Sequence, residues 1–102
     1  MITDPRPLLA KALRGKYAIG AFNVNNLELL QGIIAAAEAQ RAPVILQTSE
    51  GAIEYAGMDM LVAMVRIAAE HARVPIVLHL DHGKDLKIVK QAIASGYTSV
   101  MY

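Results

Sequence analysis

The run VPIVLHLDHGKD, Val74 to Asp85, brings two imidazoles and a carboxylate together: His79, Asp81 and His82. An imidazole nitrogen ligates zinc well, and a nearby carboxylate can ligate, orient a ligand or move a proton. The apolar part, Ile76 to Leu80, reads as a buried strand. Side chains alternate along a strand, so His79 and Asp81 share one face while Leu78 and Leu80 share the other. His82 falls on the opposite face of a continued strand, and Gly83 permits a turn that brings it back over the rim. Each residue also has a purely structural reading. His79 can be a core histidine bonded to a carbonyl, Asp81 a helix cap and His82 an exposed loop residue. Asp85 is the better placed cap, which leaves Asp81 free for chemistry. One histidine is not a metal site, because zinc takes about three protein ligands.

Positioning such a strand end requires a frame, and the chain alternates two kinds of segment. Four short apolar runs are YAIGAFNV (Tyr17 to Val24), PVILQTS (Pro43 to Ser49), PIVLHLD (Pro75 to Asp81) and TSVMY (Thr98 to Tyr102). They lack clean polar alternation, which suits parallel strands covered on both faces. Between them lie segments of helical spacing. Asn25 to Arg41 carries Leu27, Leu30, Ile33, Ile34 and Ala37 on one side, with Asn25 or Asn26 as cap. Gly57 to Arg73 carries Leu61, Met64, Val65 and Ala68. Asp85 to Gly96 carries Leu86, Val89 and Ile93, and Gly96 suits a left-handed helix end. A shorter helix, from about Arg6 to Arg14, precedes the first strand.

The order α-β-α-β-α-β-α-β predicts parallel pairing with right-handed crossovers. Four such units are half of a (β/α)8 barrel, which takes about 250 residues. The expectation is an α/β fold, the N-terminal half of a TIM barrel, with residues 1–102 as one continuous segment. A complete small flavodoxin-like or half-barrel domain is the alternative.

In parallel α/β folds the working residues sit at the C-terminal ends of strands. The first strand ends with Asn23, Asn25 and Asn26, the second with Gln47, Thr48, Ser49 and Glu50, and the third with His79, Asp81, His82 and Gly83. The opposite ends are bland: Lys16 and Tyr17, Ala42 and Pro43, Val74 and Pro75. A site on one rim accounts for that asymmetry. Asn23 can also be a helix-entry residue, and Ser49 can simply satisfy loop backbone.

Composition narrows the function. Of 102 residues, 55% are hydrophobic and 19% charged, the reverse of a disordered chain. A formal charge of +1 gives no nucleic-acid footprint and no polybasic membrane surface. Lys84, Lys87 and Lys90 fall on one solvated helix face. No stretch reaches the roughly 20 apolar residues of a bilayer span. The first residues, with an acid and two prolines, are no secretory signal. The lack of cysteine fits a reducing compartment, with the cytoplasm as default. There is no GxxxxGK[ST], GxGxxG or GxSxG motif. No lysine ends a readable strand, which disfavours Schiff-base chemistry.

The segments YAIGAFNVNNLELLQGIIAAAE, APVILQTSEGA, VLHLDHGKD and AIASGYTSVMY, in this order and spacing, resemble the N-terminal part of class II fructose-1,6-bisphosphate aldolases and their relatives acting on tagatose 1,6-bisphosphate. The resemblance covers the whole chain. It implies that Asp81 is the catalytic proton carrier and that His82 is one zinc ligand. It implies that Asn23 and Ser49 contact the substrate near its phosphorylated triose, and that His79 stands beside the site. It also implies a Zn2+ cofactor with further ligands beyond residue 102, a sugar bisphosphate as partner, and a dimer or tetramer for the full-length protein. On that reading the 102 residues alone are inactive. A non-catalytic half barrel that self-associates is the expectation of another class.

Overall fold

The computed structural model describes residues 1–102. Helix α1 (Pro5–Gly15) precedes strand β1 (Ala21–Asn23), helix α2 (Leu27–Gln40) and strand β2 (Val44–Ser49). Helices α3 (Glu50–Ala56) and α4 (Met58–His71), strand β3 (Ile76–Asp81), helix α5 (Leu86–Ser95) and strand β4 (Ser99–Val100) follow. The expected alternation is present with one helix added. The polar stretch after β2 is α3 rather than a loop, because the Ser49 hydroxyl accepts from the Ala52 amide at 3.1 Å and caps it. Gly57, at φ +90°, then separates α3 from α4.

All pairings are parallel, and the strand order is β1-β2-β3-β4. Strands laid down in chain order step the same way at every crossover. Right-handed crossovers then place the connecting helices on one face. A doubly wound, flavodoxin-like sheet reverses direction at a switch point, and this sheet does not. The fold is half of a (β/α)8 barrel.

The outer strands are shorter than the apolar runs suggest, for a physical reason. Ile45 donates to the Gly20 carbonyl at 2.9 Å. One ladder step earlier the donor would be Pro43, which has no N–H to donate. Pairing of β1 therefore begins at Gly20, and Val24 extends it by donating to Gln47 at 2.9 Å. Beside β3, ladder bonds run from Thr98, which donates to Leu78 at 3.0 Å, to Met101, which donates to Leu80 at 2.9 Å.

The helices begin and end where side chains complete their free backbone groups. Asn26 accepts from Leu29 at 2.8 Å to start α2, and Asp85 accepts from Ile88 at 2.9 Å to start α5. Gly96 closes α5 at φ +114°. The core lies between helices and sheet. Val44 and Leu46 of β2 and Ile76, Leu78 and Leu80 of β3 are buried against Leu30, Leu61, Val65, Val89 and Ala92. Each such Val or Leu contributes about 1.5–3 kcal/mol when fully buried. Thr48 is the one buried polar residue, and its hydroxyl lies 2.7 Å from the Tyr97 hydroxyl. No helix is long and apolar enough to cross a membrane.

Candidate active site

Register decides which polar groups meet. Asn23 pairs with Gln47, Gln47 with His79, Ser49 with Asp81 and His79 with Ser99. Paired positions in a parallel sheet point to the same side. Asn23, Gln47, Ser49, His79, Asp81 and Ser99 therefore share the face opposite the helix-packed core, toward the C-terminal ends of the strands.

Asp81 is the focus of this group. Its Oδ2 accepts from Asn23 Nδ2 at 3.4 Å and from Gln47 Nε2 at 3.5 Å, while Gln47 also donates to Asn23 Oδ1 at 2.9 Å. Its other oxygen, Oδ1, lies 3.4 Å from His82 Nε2. The Asp81 side chain is 17% accessible and that of His82 74%, so an acid on the sheet stands beside an imidazole open to solvent. His79 is half-buried, with Nδ1 2.7 Å from the Ser99 hydroxyl. Burial pushes its pKa below the ordinary value; Asp81 opposes that shift and His82 adds to it. Burial thus favours the uncharged ring, whose Nδ1 is held by Ser99.

The turn at the end of β3 differs from the expectation in its origin. His82 itself takes the left-handed conformation, at φ +56°, and so brings its ring back beside Asp81. Gly83 is not in that region; it is glycine for want of room. A Cβ there would meet Leu80 Cδ2 at 2.8 Å, Val89 Cγ2 at 2.9 Å and the Met101 carbonyl at 3.0 Å.

Ser49 stands at the same rim, in a concavity of about 480 Å³ shared with Asn25, Asn26, Gly51, Ala52 and Tyr55. Its oxygen is engaged by the Ala52 amide, but its O–H is still free to donate. Asp81 caps no helix, and Asp85 does. His71 bonds the Ile67 carbonyl at 2.9 Å in the last turn of α4, away from the site. Gln47 is one of the polar residues at the end of β2, and the structure brings its amide into the site beside Asn23 and Asp81. Its two-residue offset from Ser49 puts it on the site face, a signal available from alternation alone.

No three His, Cys, Asp or Glu side chains converge anywhere in the chain. The donor set on β3 fits a single ligand position: an exposed imidazole beside a carboxylate. A complete coordination sphere needs groups from outside these residues.

A family profile described as class II fructose-bisphosphate aldolase matches residues 3–102. A fructose-bisphosphate aldolase of Geobacillus stearothermophilus is 50% identical over 103 residues, covering 98% of this chain and 36% of its own length. One from Treponema pallidum is also 50% identical, over 98% of this chain and 32% of its own length. The crystal structure of the YdjI aldolase from Escherichia coli K12 superposes with a TM-score of 0.94 at 35% identity, covering all of this chain and 40% of that one. The chain thus spans about a third of the length of these curated relatives. By its profile, its close relatives and its half-barrel geometry, the chain belongs to the class II fructose-bisphosphate aldolase family.

Proposed function

We propose that the whole protein is a metal-dependent lyase that reversibly cleaves fructose 1,6-bisphosphate into dihydroxyacetone phosphate and glyceraldehyde 3-phosphate. Residues 1–102 would be the N-terminal portion of its barrel. The observation that carries this reading is the Asp81 carboxylate beside the His82 imidazole at the end of β3, with the Asn23 and Gln47 amides turned toward it.

In cleavage Asp81 accepts the proton of the C4 hydroxyl. The C3–C4 bond breaks, C4 becomes the aldehyde carbon, and the bonding pair passes to the ketose fragment as an enediolate, which takes up a proton at C3 from an acid outside residues 1–102 to give dihydroxyacetone phosphate. In condensation Asp81 returns the proton to the aldehyde oxygen. The amides of Asn23 and Gln47 hold the carboxylate in place for that transfer. A bound divalent metal supplies Lewis-acid stabilisation of the charge on the ketose fragment. His82 is suited to one ligand position for zinc, and the other ligands come from beyond residue 102. Asn23 and Ser49 contact the substrate near its phosphorylated triose, and His79 lines the site. The relatives' names favour the fructose over the tagatose bisphosphate, which differs only in configuration at C4. The same reading places the protein in the cytoplasm, in glycolysis or gluconeogenesis, as a homodimer or tetramer.

The test is made on the whole protein. Aldolase activity disappears with a chelator and returns with zinc; activity surviving prolonged chelation sinks the proposal. Asp81→Ala lowers turnover by about 10²–10⁴, the worth of a positioned acid or base, with zinc retained.

A further inference from the structure

The conformation of His82 has to be held from outside. A left-handed φ is uncommon for a non-glycine residue and persists where its surroundings over-determine it. Two hydrogen bonds do so, on the two residues that follow. The Gly83 amide donates to the Met101 carbonyl at 2.7 Å, tying the turn to the β4 side. The Lys84 amide donates to Glu50 Oε2, also at 2.7 Å, tying it to α3. An amide bonded to a carboxylate is stronger than a neutral pair. Glu50 is the first residue of α3, directly after the capping Ser49. One turn at the end of β2 thus sets Ser49 on the rim and aims Glu50 at Lys84, 34 residues further along, in the turn that carries His82.

We propose that Glu50 is a positioning residue: its carboxylate clamps the turn after β3 so that the His82 imidazole is presented for metal binding beside Asp81. The proposal rests on the reading of His82 as a ligand. The competing role for Glu50 is that of an acid at a helix N-terminus, where its charge alone stabilises α3. The two roles differ in what they require. The clamp needs an acceptor at the right reach, and the charge role needs only an anion.

Two conservative variants of the whole protein separate them, with zinc dissociation constants measured by competition against a chromophoric chelator. Glu50→Gln keeps an acceptor oxygen at the same length and loses the charge. Glu50→Asp keeps the charge and withdraws the acceptor by one methylene. The clamp predicts zinc affinity within a few-fold of wild type for Gln. It predicts a loss of about 10-fold or more for Asp, approaching the roughly 10–100-fold seen when support to a metal ligand is removed. Hydrogen exchange of the metal-free proteins gives a second readout: the Lys84 amide stays protected in Glu50→Gln and is exposed in Glu50→Asp. Wild-type affinity and wild-type Lys84 protection in Glu50→Asp overturn the proposal. So does a Gln variant weakened as much as the Asp variant. His82→Ala is measured alongside. Unchanged zinc binding there refutes the ligand role of His82 itself, a failure distinct from that of the clamp.

Discussion

Alanine at position 83 is the severest single-methyl test of how the site is held. Gly83 is buried in the turn after β3. A methyl group there would sit 2.8 Å from Leu80 Cδ2, 2.9 Å from Val89 Cγ2 and 3.0 Å from the Met101 carbonyl. Carbon atoms pack comfortably at about 3.5–4.0 Å, so the two methyl carbons are well inside contact and the Met101 oxygen is tight. Leu80 is fully buried and Val89 nearly so, which leaves little room to yield. The Met101 carbonyl is backbone, and it accepts the 2.7 Å bond from Gly83 itself. Relief therefore moves the turn off β4 and stretches that bond. Overpacking of about 1–3 kcal/mol and a lost hydrogen bond of about 0.5–1.5 kcal/mol predict a destabilisation of about 2–4 kcal/mol. Gly32 is the internal control. It lies within α2 with nothing within 4 Å of an added Cβ, so Gly32→Ala stabilises by about 0.5–1 kcal/mol. Urea unfolding of the two variants beside the wild type reads both. Opposite signs are expected, together with weakened zinc binding in Gly83→Ala alone. A Gly83→Ala protein as stable as wild type refutes the steric argument.

Thr48→Val leaves the buried Tyr97 hydroxyl without its 2.7 Å partner and costs about 1–3 kcal/mol, whereas Thr48→Val with Tyr97→Phe lies closer to wild type; urea midpoints of the single and double variants check this. Asp85→Ala removes the acceptor for the Ile88 amide and costs about 1 kcal/mol, read from the same unfolding curves. Because burial lowers the pKa of His79, the folded state binds fewer protons there than the unfolded chain. Its contribution is complete above the ordinary value of 6.5 and is lost as pH falls through the lowered one. Stability measured from pH 7 downward declines in the wild type, and His79→Gln declines less steeply.

The residues that begin each helix could be recognised without coordinates. A side-chain oxygen three positions before a free amide is a local relation, and Asn26 and Asp85 cap α2 and α5 as their positions suggest. Gly96 ends α5 for an equally local reason. Alternation along a single strand likewise assigned His79 and Asp81 to one face and Leu78 and Leu80 to the other, because side-chain direction follows from the backbone of that strand alone. Helix α3 is not legible in the sequence, since seven residues are too few for a clear apolar period and the Ser49 cap reads equally well as a loop serine.

What the amino-acid order determined by itself was therefore the succession of elements, their caps and the face on which each polar group would lie. These depend on contacts a few residues apart. Only the tertiary structure decided which polar groups meet. Asn23, Gln47 and Asp81 converge because three strands from separate parts of the chain pair in one register, and a shift by a single residue would turn the amides of β1 and β2 to the other face. The left-handed turn at His82 rests on Glu50 and Met101, partners supplied by α3 and by the chain beside β3. No local propensity encodes either arrangement, because each is set by backbone and side-chain groups brought together from separate elements of the chain.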